Sequence, residues 1–263
     1  MTREPVSYKG VYPFSLACPS FIYPAGYAEN TRRLSGLVDE IELLFFQSAP
    51  ESMPDPDEIE ALKNIGHNGD VVYNVHLPID ISIAGADAAE GRRAREAVIG
   101  LYDRVRELSP VSWTLHVPMD AAEPRSSRQW ADRACGRIEE VLACRRIPSR
   151  SMALETLDYS PFILGDIAER LDCSICLDTG HLMARGIDCK TVFDALKDRV
   201  TIVHAHGVSQ GRDHLALDRL SPSQQKDMGH ILQSFRGTFC LEVFCSDHLF
   251  SSMDCLNRLW HTL

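Results

Sequence analysis

The sequence lacks the features that mark several large classes of proteins. It contains no run of about 18 uncharged apolar residues, so a transmembrane helix is not expected. Positive charge is in the minority, with 27 Lys and Arg against 37 Asp and Glu, which leaves no broad cationic surface for a nucleic-acid backbone. Residues 1–8 lack the apolar stretch of a secretory signal. We therefore expect a soluble, cytoplasmic protein that binds neither membrane nor nucleic acid.

A disulfide framework is not indicated either. The nine cysteines are odd in number and scattered, and Cys176 and Cys240 fall inside predicted strands. Cys173 and Cys176 have the CxxC spacing of a zinc or redox motif, but no second pair accompanies them, so core packing explains them better. We predict reduced, buried thiols.

What the sequence does contain is a regular alternation of apolar runs and stretches with helical periodicity. Strands that alternate with helices pair in parallel, and near-continuous hydrophobicity is typical of strands covered on both faces. The 263 residues suit one (β/α)8 TIM barrel of the α/β class, as a single domain over 1–263. The predicted strands are 11–18, 38–46, 71–77, 112–117, 151–156, 174–177, 200–204 and 238–244. The predicted helices are 87–108, 127–143, 162–171, 191–196, 221–235 and a last one near 254–263.

Metal-binding side chains stand at the ends of six of these strands. In a parallel barrel all the C-terminal strand ends open on one rim, so residues far apart in sequence converge there. The strongest set, on the last four strands, has three carboxylates and one imidazole, which suit a divalent ion such as Zn²⁺ or Mn²⁺. A buried structural role is the alternative, although buried carboxylates are costly unless they are paired or metal-bound. This set is Glu155, Asp178, His204 and Glu242.

Two histidines extend the set to the third and fourth strands. His76 and His116 each stand at a strand end, two residues before a proline. Alone, each is more simply a hydrogen-bonded core histidine. Together, they are predicted to bind a second metal that Glu155 bridges to the first.

Three further histidines are candidates near the same rim. His181 follows Asp178 by three residues, so both side chains can face the rim. His214 lies in a polar loop, where a solvated role and a ligand role are equally open. His206 alternates to the same side as His204 and is a candidate ligand, ligand-orienting donor or substrate contact.

Three other residues are candidates for substrate contact. Glu42 could reach the barrel mouth as an acid, base or polar contact, or form a salt bridge. Tyr23 clusters with Phe21 and Tyr27 around the first loop, where aromatic rings floor a pocket for a flat ligand or simply pack the barrel end. Arg212 could meet a phosphate, although most isolated arginines are surface residues.

With these residues in place, the chain resembles the xylose-isomerase-like TIM-barrel superfamily, which includes sugar epimerases and endonuclease IV-type phosphodiesterases. The four-residue set matches the superfamily's metal ligands, and the likeness to the endonuclease IV pattern adds His76, His116, His181 and His214. More specifically, four stretches look like the cobamide-remodelling phosphodiesterase family, CbiR. These stretches are 20–24 (SFIYP), 38–46 (VDEIELLFF), 73–78 (YNVHLP) and 114–118 (TLHVP).

The resemblance implies metal-dependent hydrolysis of the phosphodiester in the nucleotide loop of adenosylcobalamin and related cobamides. The products would be an α-ribazole-type nucleoside and adenosylcobinamide phosphate. Two ions, Zn²⁺ or Mn²⁺, would be bridged by Glu155 and would activate a water for in-line attack on phosphorus. His181, His206 or His214 would protonate the leaving group or bind a phosphate oxygen.

One departure from the family pattern concerns a third ion. The endonuclease pattern has Asp-x-His in the loop after the seventh strand, whereas Arg212 stands at the first position here and Asp213 directly precedes His214. We therefore predict a two-metal site, or a third ion with a weaker ligand set. Whether Asp213 replaces the missing carboxylate stays open.

Three rival functions remain at this point. A sugar isomerase or epimerase is the main alternative, because it needs one metal and two carboxylates such as Glu155 and Glu242 that move a proton. His76 and His116 count against it. An abasic-site endonuclease shares the ligands but is disfavoured by the acidic balance. A non-catalytic cobamide carrier would not require ligands on six strands. The metal, the preferred lower base and the oligomeric state are not fixed by the sequence.

Overall fold

Eight parallel strands form a closed barrel in the computed structural model, which describes residues 6–69, 71–120, 123 and 128–263. The barrel strands are β1 Ser15–Pro19, β2 Glu40–Leu44, β3 Val72–His76, β4 Trp113–Leu115, β5 Met152–Glu155, β6 Ser174–Asp178, β7 Val200–Ala205 and β10 Thr238–Leu241. Around the barrel each strand pairs with its neighbours in chain order, and β10 closes the ring between β7 and β1. The predicted fold class and all eight predicted strands are confirmed.

Helices follow the barrel strands and cover the outside of the sheet. The six predicted helices are all present, although the last begins at residue 246 rather than near 254. Residue 127, where one of them was predicted to begin, lies outside the described residues. The helices are α1 Tyr27–Leu34, α2 Pro56–Gly69, α3 Ala88–Val105, α4 Arg128–Arg145, α5 Pro161–Leu171, α6 Thr179–Ala184, α7 Cys189–Leu196, α8 Pro222–Ser234 and α9 Ser246–Trp260. Short 3₁₀ turns occur at Pro50–Ser52, Arg106–Leu108, Ser149–Ser151 and Leu217–Arg219.

The first barrel strand begins later than predicted, and the last one ends earlier, each for a local reason. The first strand begins at Ser15 rather than at residue 11, because Pro13 has no amide hydrogen for a ladder bond. The last strand ends at Leu241 rather than at residue 244. There the chain turns tightly, and the Val243 N–H donates to the Leu241 carbonyl at 2.9 Å.

The two faces of the barrel strands have opposite character, which corrects the predicted near-continuous hydrophobicity. Residues that face the helices are apolar and belong to one large core. Inside the barrel, the apolar core shrinks to a small cluster of Ala153, Cys176 and Ile202. Much of the remaining interior is polar: buried Glu40 accepts hydrogen bonds from Asn74 on the adjacent strand β3 and from Thr238 on β10, at 3.0 and 2.9 Å. The polar side chains of the rim therefore continue into the barrel interior.

The segment after β7, predicted as a polar loop, forms a small β-hairpin instead. Strands β8 Gly207–Ser209 and β9 Arg212–Leu215 pair antiparallel. Gln210 and Gly211 connect them with positive φ values of 53° and 74°, as a two-residue type I′ turn requires. Gly211 was the local sequence signal that could have indicated a turn here, because glycine adopts positive φ values readily.

The cysteines were predicted to be reduced and buried. All nine lie in the described part of the chain, where none is joined to another by a disulfide. Burial was predicted for all of them but fails for Cys144, which is exposed on α4, and is only partial for Cys245. Among the helices that the structure describes, none is both long and apolar enough to cross a bilayer.

Candidate metal centre

The four residues of the strongest predicted set converge at the C-terminal end of the barrel. One ligand atom from each lies within 4.8 Å of the others, and all four side chains are buried. Parallel pairing produces this convergence. The register places Asp178 beside His204, and it places Glu155 beside Cys176, which is two residues before Asp178 and on the same face of β6. The set is Glu155, Asp178, His204 and Glu242.

His204 is held in a fixed orientation by Glu42. Its Nε2 lies 3.0 Å from Glu42 Oε2, and both side chains are fully buried. Its other ring nitrogen, Nδ1, faces the cluster, 3.4 Å from Glu242 Oε2 and 3.7 Å from Glu155 Oε2. The burial of Glu42 favours the salt-bridge interpretation over substrate contact. We conclude that Glu42 supports His204 from inside the barrel.

Glu155 lies between this set and the two histidines of β3 and β4. Its Oε2 is 3.0 Å from His76 Nε2 and 3.0 Å from His116 Nε2. His76 Nδ1 donates to the Leu77 carbonyl at 2.9 Å, which directs Nε2 at the carboxylate. The structure therefore brings both predicted ligand sets together around one shared carboxylate.

The described side chains fit a bound cation because several of their buried polar atoms form no hydrogen bond and have only charged neighbours at 3.3–3.7 Å. Leaving a buried donor or acceptor unpaired costs roughly 1–3 kcal/mol for each group. Divalent cations bind carboxylate oxygens and imidazole nitrogens, so bound ions would satisfy several such atoms of the cluster together. Among the residues that the structure describes, the buried atoms of the cluster without a hydrogen-bond partner are Glu155 Oε1, Asp178 Oδ2, His204 Nδ1, His206 Nε2 and Glu242 Oε2.

The carboxylates and imidazoles of the cluster stabilise each other's charged forms. Burial alone would lower the pKa of His76, but its hydrogen bond to Glu155 and the charge of that carboxylate raise the pKa to about 9. Burial would raise the pKa of Glu155, but the neighbouring His116 and His204 hold that pKa well below its usual value. Without metal, protons on imidazole rings therefore balance the carboxylates, and metal binding must displace them.

A third group of ligand atoms consists of three histidines. One nitrogen from each of His181, His206 and His214 lies within 4.8 Å of the others. The rings of His206 and His214 stack at a centroid distance of 4.2 Å. The close approach of His206 to α6 requires Gly180, because a Cβ at that position would lie 2.0 Å from His206 Cε1. Sequence reasoning did not identify this role of Gly180.

His206 has its two ring nitrogens in different environments. Nδ1 accepts a hydrogen bond from the His214 backbone N–H at 2.9 Å, while Nε2 faces Asp178 Oδ1 at 3.3 Å. The side chain is fully buried. Of the three roles left open by the sequence, this arrangement favours a ligand or ligand-orienting role over direct contact with substrate.

A bulge in the hairpin directs His214 at the cluster. Between the pairs Gly207 with Leu215 and Ser209 with Arg212, β9 contains one more residue than β8. His214 takes a left-handed conformation there, with φ 49°, which a non-glycine residue adopts only when its surroundings enforce it. Its Nδ1 lies 3.2 Å from the Glu242 carbonyl oxygen. His214 is therefore part of the site and not a solvated loop residue.

The remaining predicted residues lie at the edge of the site. Tyr23 is half-buried in the loop after β1, with the Arg33 guanidinium 4.8 Å above its ring. Arg212 is exposed in the hairpin. Substrate contact by these two residues stays a prediction. Asp213 is exposed and does not belong to the histidine cluster, so it does not replace the missing carboxylate.

Comparison with known proteins identifies the fold but no family. No protein-family model matches the chain, and no curated protein matches it significantly in sequence. The structure is similar to a D-tagatose 3-epimerase-like protein, with a TM-score of 0.80 and 15% identity over 95% of this chain and 98% of that one. It is also similar to endonuclease IV from Thermus thermophilus, with a TM-score of 0.71 and 15% identity over 93% and 99% of the two chains. The fold is that of the xylose isomerase-like TIM barrels.

Proposed function

We propose that this protein is a metal-dependent phosphodiesterase that hydrolyses the nucleotide-loop phosphodiester of cobamides. The observation that carries the proposal is the position of Glu155, whose Oε2 lies 3.0 Å from both His76 Nε2 and His116 Nε2. The Glu155 carboxylate also has an oxygen within 4.8 Å of one ligand atom from each of Asp178, His204 and Glu242. A carboxylate shared between two ligand sets suits a pair of ions, as in many enzymes that cleave phosphate esters.

The side chains divide into groups that hold the site and groups that reach the substrate. Glu155, Asp178 and His204 are fully buried and fix the centre. His181 and His214 are 22% and 24% exposed, so they line the mouth, where they can donate to phosphate or leaving-group oxygens. Ions bound at the centre would supply an activated water and neutralise phosphate charge. The resemblance to the cobamide-remodelling family supplies the substrate class.

The proposal is tested by product analysis with metal-stripped protein. Adenosylcobalamin is incubated with that protein, with and without added Zn²⁺ or Mn²⁺, and the products are identified by mass spectrometry. We expect metal-dependent release of an α-ribazole-type nucleoside together with adenosylcobinamide phosphate. An unchanged cobamide under both metals would reject the proposal.

A sugar epimerase is the second candidate, and the structural comparison favours it. Several of the similar solved structures are epimerases, among them L-ribulose 3-epimerase, with a TM-score of 0.75 and 15% identity. Glu155 and Glu242 would then exchange a proton with a substrate carbon. Incubation with ketohexoses and pentuloses in deuterium oxide, followed by proton NMR, would show exchange at carbon 3 if this activity were present. An epimerase mechanism of this kind does not use His76 or His116.

A further inference from the structure

A series of aromatic rings leads from the solvent to the candidate metal centre. Phe21, in the loop after β1, contacts Phe46 edge-on with a centroid distance of 4.9 Å. Phe46 contacts Phe244 at 5.7 Å, and Phe244 packs on the His214 ring at 4.8 Å. These rings follow the ends of β1, β2 and β10, which are neighbours in the barrel. They therefore form one wall of the mouth, which we call the aromatic wall (Phe21, Phe46 and Phe244).

The backbone around Phe21 is fixed although its side chain is 47% exposed. On one side, the Ser20 N–H donates to the Glu42 carbonyl at 2.8 Å, and Ser20 Oγ accepts from the Leu44 N–H at 3.2 Å. On the other side, the Ile22 N–H donates to Asn30 Oδ1 at 3.1 Å. Because the loop is held at both sides, the exposure of Phe21 belongs to the folded structure and is not a consequence of a loose segment.

Asn30 adds to this rigidity. Its side chain is fully buried, and its Nδ2 donates to the carbonyls of Tyr23, Ala25 and Gly26 at 3.1, 2.9 and 3.1 Å. One amide thus holds the backbone from residue 22 to residue 26. An exposed ring on a loop held this firmly is preorganised for binding, because little conformational entropy is lost when a ligand covers it.

We propose that the aromatic wall binds a flat, apolar ring system that the substrate carries next to its scissile phosphodiester. This inference rests on the proposed function and specifies how its substrate is recognised. Ring faces and edges of the wall stack on planar groups, whereas sugar hydroxyls need hydrogen-bond partners that phenyl rings lack. The wall ends at His214, so a ligand stacked on it places a neighbouring phosphate at the metal centre.

The test compares Phe21→Ala with a matched control, Phe162→Ala. Phe162 is 48% exposed at the start of α5 and makes no ring contact within the described residues. We expect the KM for adenosylcobalamin to rise about tenfold in Phe21→Ala, which corresponds to roughly half the apolar burial of one phenylalanine. Phe162→Ala should keep the KM of the wild-type protein, and Phe21→Trp should keep it too because the substitution retains a flat ring.

The outcomes separate the wall from the reaction. If the wild-type protein hydrolyses adenosylcobalamin and Phe21→Ala keeps its KM, the aromatic wall is rejected and the proposed function stands. If the wild-type protein leaves the cobamide intact, the proposed function fails, and calorimetric titration with α-ribazole and with cobinamide then decides on the wall. Weaker binding of one of the two by Phe21→Ala supports the wall and identifies its occupant as the base or the corrin. Equal binding of both ligands by Phe21→Ala and the wild-type protein overturns it.

Discussion

Replacing Glu42 with glutamine should weaken metal binding although Glu42 is not itself one of the predicted ligands. The Glu42 carboxylate accepts a hydrogen bond from His204 Nε2 at 3.0 Å, and Cys240 Sγ lies 3.6 Å from its second oxygen. This contact keeps the proton of His204 on Nε2 and leaves Nδ1 free for a metal. Glutamine has the same shape but no charge, so it supports the imidazole less strongly.

The magnitude follows from burial. Both side chains are fully buried, so water does not screen the lost charge. Removing a carboxylate that orients a metal-binding histidine typically lowers metal affinity 10- to 100-fold, which is about 1.4–2.7 kcal/mol. We expect Glu42→Gln to lie in this range for the ion held by His204.

The matched control is Glu40→Gln. Glu40 lies two residues earlier on β2 and is also buried, but it accepts from Asn74 and Thr238 and makes no histidine contact in the described part of the chain. Zinc affinity is measured by competition with a chromophoric chelator, and urea unfolding of the metal-free proteins checks that both variants fold. Wild-type affinity in Glu42→Gln, or an equal loss in Glu40→Gln, would refute the positioning role.

Other predictions test the centre and its surroundings. Glu155→Gln should lower cobamide hydrolysis at least about a hundredfold, since it removes the shared carboxylate, and steady-state kinetics at saturating metal would contradict this by showing normal turnover. His76→Ala should lower the metal content by one ion per chain, measured by elemental mass spectrometry, whereas an unchanged content would indicate a one-ion site. The pKa of His76 without metal is raised to about 9, so its ring is protonated below that pH and must lose a proton to bind a metal. Metal affinity should therefore rise as the pH increases towards 9 and level off above it, which isothermal titration in several buffers can check. Gly180→Ala should destabilise the protein by about 1–3 kcal/mol in urea unfolding because the new Cβ meets the His206 ring, whereas Gly136→Ala, whose Cβ meets nothing within 4 Å among the described residues, should not.

The sequence was sufficient to predict the barrel and the residues of its rim. A strand that ends on a ligand is visible locally, as at Glu155 or Asp178, and parallel topology then brings all such ends together without further information. The predicted four-residue set is indeed compact, with its ligand atoms within 4.8 Å. Local pattern and topology were enough here because the convergence depends on the fold class and not on side-chain detail.

Side-chain partnerships were not predictable in the same way. Glu42 and His204 are 162 residues apart, and their contact depends on the exact stagger of strands across the barrel interior. Alternation along β2 gave a hint, because Glu40 and Glu42 must face the same side. It did not reveal which residue each one meets. The bulge that turns His214 inward depends equally on hairpin register, which a single sequence does not specify.

The histidine cluster shows how the structure resolves the departure at residue 212. The endonuclease pattern has a loop carboxylate at the position of Arg212. Here Arg212 is exposed, and Asp213 is exposed too and contributes no ligand atom to the cluster. His206, from the segment directly after β7, lies within ligand distance of His181 and His214 instead. Three imidazoles therefore meet at this point, and the nearest carboxylate is Asp178, whose oxygens lie 3.3 Å from His181 Nδ1 and 3.3 Å from His206 Nε2. Imidazole suits Zn²⁺ and carboxylate suits Mn²⁺, so an ion at this cluster would discriminate in favour of Zn²⁺ more strongly than the carboxylate-rich set around Glu242.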